Sequence, residues 1–595
     1  MFRTACNVCK NFSVYTPAPR ILLQGVPEWG QPPWITFRAP RVIHVARTRD
    51  EVRGVMRAVE HATAEGRWAA GFVAYEAAPA CDRALETHAP GPTPLAWFAV
   101  YDTWEAAEPP SGSPAPLALE PALEEAAYAV RIARIKDCIA RGETYQVNFT
   151  FPLQGEDAAS PEARFAALYR SQRCRYGALI ETAEFAVCSA SPELFFRQTG
   201  GRLLCRPMKG TAPRGRWAEE DAEIAARLQS SPKDRAENLM IVDMMRSDLG
   251  RIARTGSVSA MRLFELERLP TVWQMTSTIE AETDAGLDAI FAALFPCASV
   301  TGAPKVRTMH WIRALEDGPR GVYTGAIGLA GPDRRAQFNV AIRTLYTEST
   351  TRRTTYGVGS GIVWDSDAAR EYAECRAKAL VLSGDMDFEV VTSLRWDPGI
   401  DCALWPRHVD RLRRAAEYFG YPFHVHALDE AWQHACAAFP GKPLRVRISI
   451  SADGAIRVEH QAAPQVNPVR IALAAQAMDT RSPFLFHKTT RRAMYESARA
   501  GAPTAEDVLL WNEAGEVTES TIANVAVQVD GRWTTPPLRC GLLGGVMREE
   551  LLAAGRWVEG VIHREQLAPG TEVQLANAVR GVWTASVVAN ESRHQ

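Results

Sequence analysis

The 595-residue chain has no run of about 18 consecutive apolar residues, so no membrane-spanning helix is expected. It also lacks a charge imbalance. Its 67 basic residues stand against 69 acidic ones, a net charge of -2, which argues against nucleic-acid binding through an overall field. Residues 1–20 mix Arg, Lys, Asn and Pro without an apolar stretch, so they do not read as a signal peptide. Cys6 and Cys9 form a Cys-x-x-Cys with no second pair at zinc spacing, and no metal site is expected there. The other cysteines, of 12 in all, are scattered like small buried apolar residues, and a reducing cytoplasm is the expected compartment.

What is present is ordinary for a globular protein: 47% hydrophobic and 23% charged residues. The length suggests roughly three to four domains. Buried strands are predicted over 68–76 and 95–101, a Pro/Ala/Ser/Glu-rich surface loop over 104–121, and a helix through Ile132, Ile135 and Ile139 that stops at Arg141-Gly142. A strand is predicted over 142–150.

Arg206-Pro207-Met208-Lys209-Gly210-Thr211 reads as a tight turn holding one lysine between strand-like runs. Most Lys-Gly pairs are solvated turns. The alternative is an amine nucleophile, whose pKa burial or a cationic neighbour would lower. Ser191-Pro192-Glu193 sets a carboxylate at the start of an apolar strand, which alone also fits an edge glutamate. Ser231-Pro232 opens a helix to Gly250 with Asp234 and Glu237 three apart on one face. Acids there are equally ordinary helix-start residues.

The small-residue loop 295–305, with Ser299, Thr301 and Gly302, lets backbone N–H groups approach an anion. Residues 338–344 read as a strand with Arg343 near its end, and 357–363 as a glycine-rich turn. The helix after it carries Glu371 and Glu374, again three apart. Two such helices could build an oxygen-lined Mg²⁺ site.

In order along residues 20–382, these blocks resemble the chorismate-utilising enzymes, among them anthranilate synthase large subunits, aminodeoxychorismate synthase component I, and isochorismate and salicylate synthases. The resemblance implies a large antiparallel β-sandwich with helices. It implies Glu237 and Glu374 as Mg²⁺ ligands, with Asp234 and Glu371 as outer carboxylates. Chorismate would be held by Tyr323, Arg343, the Thr301 loop and the backbone N–H groups from Gly359 through Gly361 to Ile362, with Lys378 nearby. Glu193 would be the general acid for the departing C4 hydroxyl, and Gln146 fills the slot that carries a lysine base in water-using members. Lys209 matches the aminodeoxychorismate synthase turn, where anthranilate synthases usually carry alanine. That branch implies attack of the lysine amine on C2 of chorismate, then displacement by ammonia at C4. Gln274 stands where the family often has histidine, and its amide can hydrogen-bond but cannot titrate.

After a short linker at 384–387, strands are predicted over 388–396, 444–450, 469–474, 507–511 and 525–529, and a helix through His408 and Leu412. Cys540-Gly541-Leu542-Leu543-Gly544-Gly545-Val546 is a glycine turn opening a helix, either a plain turn or a phosphate cradle. Lys488, Glu519, Arg411 and this turn resemble fold-type IV pyridoxal-phosphate enzymes, in particular aminodeoxychorismate lyase. The resemblance implies a class IV aminotransferase-like α/β fold, a Schiff base on Lys488 and Glu519 on the pyridine nitrogen. Arg411 with Gly544, Gly545 and Val546 would hold the 5′-phosphate. Stand-alone relatives begin with extra strands, so the first half is expected to supply a missing sheet edge. Thr392 or Ser393 would stand near substrate.

The expected whole is a two-part α+β chain, with 1–383 as an aminodeoxychorismate synthase domain and 384–595 as a lyase domain. Together they would make 4-aminobenzoate for folate, with Mg²⁺ and pyridoxal 5′-phosphate as cofactors. No Gly-x-Cys-x-Gly block is present, so a separate glutamine amidotransferase should deliver ammonia. A homodimer through the second half is a further expected partner. Three rivals are an anthranilate-type first half, a class IV transaminase second half, and a degenerate non-catalytic second half.

Overall fold

The computed structural model describes residues 18–383, 388–400, 402–465 and 469–589. Contacts divide the chain into two compact units. The second unit joins residues 214–226 to the chain beyond 387. The predicted linker at 384–387 and the Cys6/Cys9 pair lie outside the described residues.

The first unit is built on two ten-stranded antiparallel sheets. Ile21, Leu23 and Phe37 of one sheet pack against Trp68, Phe72 and Trp97 of the other, which sets the sheets face to face. Helices Arg49–Ala64, Pro232–Gly250 and Leu287–Leu294 cover one outer face, and Glu125–Ala140, Pro161–Gln172, Lys305–Leu315 and Ala368–Ala379 the other. The layers are therefore helix, sheet, sheet, helix.

Local sequence accounts for these elements. In Arg49–Ala64, Val52, Val55, Met56, Val59 and Ala62 recur at helical spacing and are buried. Glu51 accepts the Thr48 N–H at 2.9 Å, satisfying an orphan donor of the first turn. Ser231 caps Pro232–Gly250 by accepting the Asp234 N–H at 3.2 Å. Phe195, Phe196, Phe291 and Phe338 pack with ring centroids 5.2 to 5.9 Å apart, locking the strand after Glu193 to helix Leu287–Leu294.

Three local readings are corrected. Residues 357–363 are not a turn, because Arg353–Ile362 is one strand paired along its length with Gln146–Glu156. Arg343 is not on a strand. Strand Arg335–Val340 has ended, and Arg343 sits in a turn at φ +52°. Lys209 lies within strand Met208–Pro213, whose pairing with Val272–Glu282 is broken by a register shift around Gly210.

The second unit has an antiparallel sheet of Val390–Trp396, Leu444–Ile450 and Ile456–Ala462, and an eight-stranded mixed sheet. Helix Trp405–Phe419 packs on the former through Leu412, Ala415, Ala416 and Phe419. Every described strand of both sheets comes from residues 390–588, so the first half supplies no missing edge. What it does supply is residues 214–226. The Tyr418 hydroxyl donates to Gly215 O at 2.6 Å, the Arg214 guanidinium lies 4.4 Å from the Tyr418 ring, and Trp217 packs 5.0 Å from Phe486.

Candidate active sites

In the first unit the structure gathers several of the predicted residues around Lys209. Asn238 donates to Lys209 O at 3.0 Å, and Gln274 donates to Gly210 O at 3.0 Å while accepting from the Thr211 hydroxyl at 3.0 Å. Gly210 has φ +97°, a conformation costly for any other residue. Gln274 therefore holds the bulge that aims the lysine, a task amide hydrogen bonds perform without titration.

The Lys209 amine stands 3.6 Å from Glu237 Oε2. A Cβ at Gly361 would lie 2.3 Å from Lys209 Nζ and 2.8 Å from Gln146 Nε2, so a bare backbone is what lets these groups converge. Gln146 is fully buried, and neither its amide nitrogen nor its amide oxygen has a partner among the described residues. Buried orphans of this kind mark a place where a ligand is to hydrogen-bond.

Glu193 is buried and accepts from Ser299 Oγ at 2.6 Å. Burial pushes its pKa up to about 7, against the opposing pull of Ser299, the Met208 N–H and the Lys209 charge. It can therefore hold a proton at neutral pH. Glu374 behaves oppositely. Burial raises its pKa, but the Lys378 ammonium at 2.7 Å and the Lys209 charge outweigh this and leave it lowered. Lys378 also donates to Gly359 O at 2.8 Å, and its own carbonyl accepts from Arg343.

Some predicted residues stand apart. Thr301 donates to Cys297 O and Ala298 O, both at 3.2 Å, and so braces its own loop. Tyr323 is packed against Gly357 and lines a different cavity with Glu316 and Arg320. Asp234 lies against Gly210, and Glu371 sits one turn before Glu374. Among the described residues no three acidic, histidine or cysteine side chains cluster as a metal site. What remains is the Glu237 and Glu374 pair beside Lys209, hard oxygen donors of the sort Mg²⁺ takes while keeping water and substrate oxygens. The side-chain contacts of Ser299 with Glu193 and of Asn238 with Lys209 O were not foreseen. No spacing or composition distinguishes these two residues from neighbouring small and polar residues.

The second unit holds a cavity of about 260 Å³ lined by Lys488, Glu519, Arg411, Asn524, Gly545 and Val546, among others. Burial pushes the Lys488 pKa down to about 7, helped by Arg411 and Arg492 and opposed by Glu519. Burial pushes Glu519 up to about 7, although Tyr495 donates to it at 2.9 Å. Arg411 donates to Thr392 Oγ1 at 2.5 Å and keeps a buried Nε without a partner. A Cβ at Gly545 would fall 1.9 Å from Asn524 Oδ1, so glycine is required where helix Val546–Ala553 begins. Thr392 points to Arg411 and His408, while Ser393, on the opposite face of the same strand, lines the cavity. A guanidinium with a buried, unpartnered Nε, a glycine cradle at a helix start and a buried Lys–Glu pair fit pyridoxal phosphate.

Over residues 29–383 the chain matches the chorismate binding enzyme family. The chain belongs to that family. Residues 389–588 match amino-transferase class IV. An aminodeoxychorismate synthase of Streptomyces griseus is 43% identical over 247 residues, 41% of this chain and 34% of its own. Aminodeoxychorismate synthase component 1 of Bacillus subtilis is 37% identical over 46% of this chain and 58% of its own. Anthranilate synthase component 1 3 of Haloarcula marismortui is 41% identical over 44% of this chain and 52% of its own. The chain thus spans 34% to 58% of the length of these relatives. The crystal structure of anthranilate synthase component I from Streptococcus pneumoniae superposes with a TM-score of 0.52 and 24% identity, covering 59% of this chain and 91% of that one. It shares the fold of the first unit. No helix among the described residues is long and apolar enough to cross a membrane.

Proposed function

We propose that this chorismate-binding chain is a bifunctional enzyme that makes 4-aminobenzoate. The first unit aminates chorismate to 4-amino-4-deoxychorismate, and the second eliminates pyruvate from it. The observation that carries the reading is that each unit presents its own lysine with its own acid or base partner: Lys209 with Glu193 and Glu237, Lys488 with Glu519.

In the first step the Lys209 amine forms a bond to C2 of chorismate as the C4 hydroxyl leaves. Glu193, protonated up to about pH 7, gives that hydroxyl its proton and is left as the carboxylate while water departs. Ammonia then bonds to C4 and the lysine nitrogen is expelled, which splits one hard displacement into two. Gln146, its amide without a partner, can orient ammonia or the ring. Mg²⁺ held by Glu237 and Glu374 would anchor a substrate carboxylate electrostatically.

In the second step pyridoxal phosphate, when bound, supplies an electron sink. Glu519 would hold the pyridine nitrogen's proton, and Arg411 with the 544–546 turn would hold the phosphate. Lys488, with a pKa near 7, carries a proton away from C4 of the substrate and can release it again.

A separate amidotransferase supplying ammonia is part of this reading, supported by the component 1 naming of relatives. A homodimer through the second unit and a cytoplasmic location remain part of the same proposal. The test is incubation with chorismate, Mg²⁺ and ammonium, with product identification with and without pyridoxal phosphate. 4-Aminobenzoate appearing only with the cofactor is the expected result. An anthranilate-type first unit is the second reading, favoured by the Haloarcula relative. Amination at C2 instead of C4 would establish it.

A further inference from the structure

Four guanidiniums with no part in the steps above line the Lys488 cavity: Arg445, Arg447, Arg492 and Arg580. Arg445 and Arg447 are two apart on strand Leu444–Ile450 and share one face, while Leu444, Val446 and Ile448 fill the core on the other. That face continues across the pairing, where Ser393 stands opposite Arg447. Arg492, at the N-cap of helix Ala493–Ala500, donates to Thr521 O at 2.5 Å and lies 4.7 Å from the Tyr495 ring. Arg580 lies 5.4 Å from the Trp583 ring.

The contacts of Arg492 and Arg580 hold those two side chains without neutralising them. Glu519 is the only carboxylate lining the cavity among the described residues, and Tyr495 and Asn524 already donate to it. Arg447 Nε is buried with no partner. Arg445 is held below its ordinary pKa first by burial, then by the charges of Arg447, Arg580 and Arg492. A fold that crowds four like charges at one wall is relieved by an anionic ligand there. The cofactor phosphate does not answer this need, because Arg411 and the 544–546 turn serve it. The remaining positive charge calls for more than one acid group on the substrate, and planar guanidiniums match carboxylates in bidentate fashion.

We propose that Arg445 and Arg447, assisted by Arg492 and Arg580, form a dicarboxylate-recognising wall that selects substrates bearing two carboxylates and rejects amines bearing one. This rests on the lyase reading of the second unit, whose substrate carries a ring carboxylate and an enolpyruvyl carboxylate. It assigns the arginines to substrate selection and leaves proton transfer to Lys488.

The test uses the full chain loaded with pyridoxal phosphate. Binding is read with chorismate in a Lys209→Ala background without ammonia. Chorismate has both carboxylates and no amine, so it reports occupancy of the second site through the cofactor's visible band without turnover there. 4-Hydroxybenzoate is the monocarboxylate control. Arg445→Gln and Arg447→Gln should each weaken chorismate binding by about tenfold or more and leave the weak 4-hydroxybenzoate binding nearly unchanged. KM for aminodeoxychorismate should rise by a similar factor with kcat within about threefold of the parent, and Arg447→Lys should recover part of the loss. A retained cofactor band and intact chorismate amination on the Lys209-containing chain verify folding. Unchanged chorismate affinity and KM in both variants overturn the proposal. So does a parent site that binds 4-hydroxybenzoate as well as chorismate. If the parent releases no pyruvate from added aminodeoxychorismate, the lyase reading fails. The chorismate arm still decides the wall: binding lost in the variants supports it, and no binding by the parent overturns it.

Discussion

Ser299 donates a 2.6 Å hydrogen bond to Glu193, a buried carboxyl whose pKa stands near 7. That bond favours the charged form, so without it the acid would hold its proton to still higher pH. The amination rate should fall as pH rises through about 7, because the acid loses its proton there. Ser299→Ala should move that limb to higher pH, whereas Glu193→Gln should abolish the limb and cost about 10²- to 10⁴-fold in rate. A pH–rate profile on chorismate and ammonium checks both. The sign for stability follows. The folded state binds the extra proton between the ordinary carboxyl range and about 7, so Glu193's contribution to stability declines as pH rises through that window.

The two lysines should be separable. Lys488→Ala should accumulate aminodeoxychorismate and release almost no 4-aminobenzoate. Lys209→Ala should make no aminodeoxychorismate yet convert added aminodeoxychorismate normally. Each loss should be on the order of a thousandfold in its own step. Chromatography of the products distinguishes the two blocks. Mixing the dead variants should restore 4-aminobenzoate if the intermediate diffuses freely, and failure to do so would indicate channelling.

Lys488 gives a second pH signature. Its pKa is depressed to about 7, so the neutral amine predominates above that pH. Uptake of pyridoxal phosphate by cofactor-free protein should speed up as pH rises through about 7 and then level off. Followed by visible absorbance, this should be lost in Lys488→Ala, and borohydride should fix the label on Lys488 in peptide maps. The folded state binds fewer protons than the unfolded chain between about 7 and the ordinary lysine range. Stability from this group therefore rises with pH across that interval.

Gly361 and Glu374 test the first site's geometry and metal. A Cβ at Gly361 would meet Lys209 Nζ at 2.3 Å, so Gly361→Ala should cripple amination and spare the lyase step. Strain there should cost about 1–3 kcal/mol in a denaturant titration. Glu374→Gln should abolish the Mg²⁺ dependence of amination, measured across a magnesium titration, again without effect on the second step.

Much of both sites was legible in the sequence because the chemistry sits in short blocks. Lys209, Glu193 and Gln146 do converge, and Lys488, Glu519 and Arg411 do share a cavity. The errors have a common origin. Gly357, Gly359 and Gly361 read as a turn because glycine punctuates loops. Their spacing of two instead puts all three on one face of strand Arg353–Ile362, while Val358, Ser360 and Ile362 are buried on the other. Glycine is there for close approach, with the Tyr323 ring at one position and the Lys209 amine at another. Ser299 was missed because nothing local marks a residue whose partner is 106 positions away, and the arginines because no motif shows that Arg445, Arg447, Arg492 and Arg580 meet at one cavity.

The sequence alone determined the two-part organisation, the alternation of strands and helices, and the residue types available to each site. These depend on local periodicity and short motifs, which need no knowledge of the folded neighbours. Only the tertiary structure decided which way those residues act. It pushed the Glu193 pKa up to about 7 and left that of Glu374 lowered, because burial and neighbouring charge set a pKa and neither is a local property. It also decided that residues 214–226 belong with the second unit. Trp217 and Arg214 find Phe486 and Tyr418 only after more than 200 residues of intervening chain have folded back.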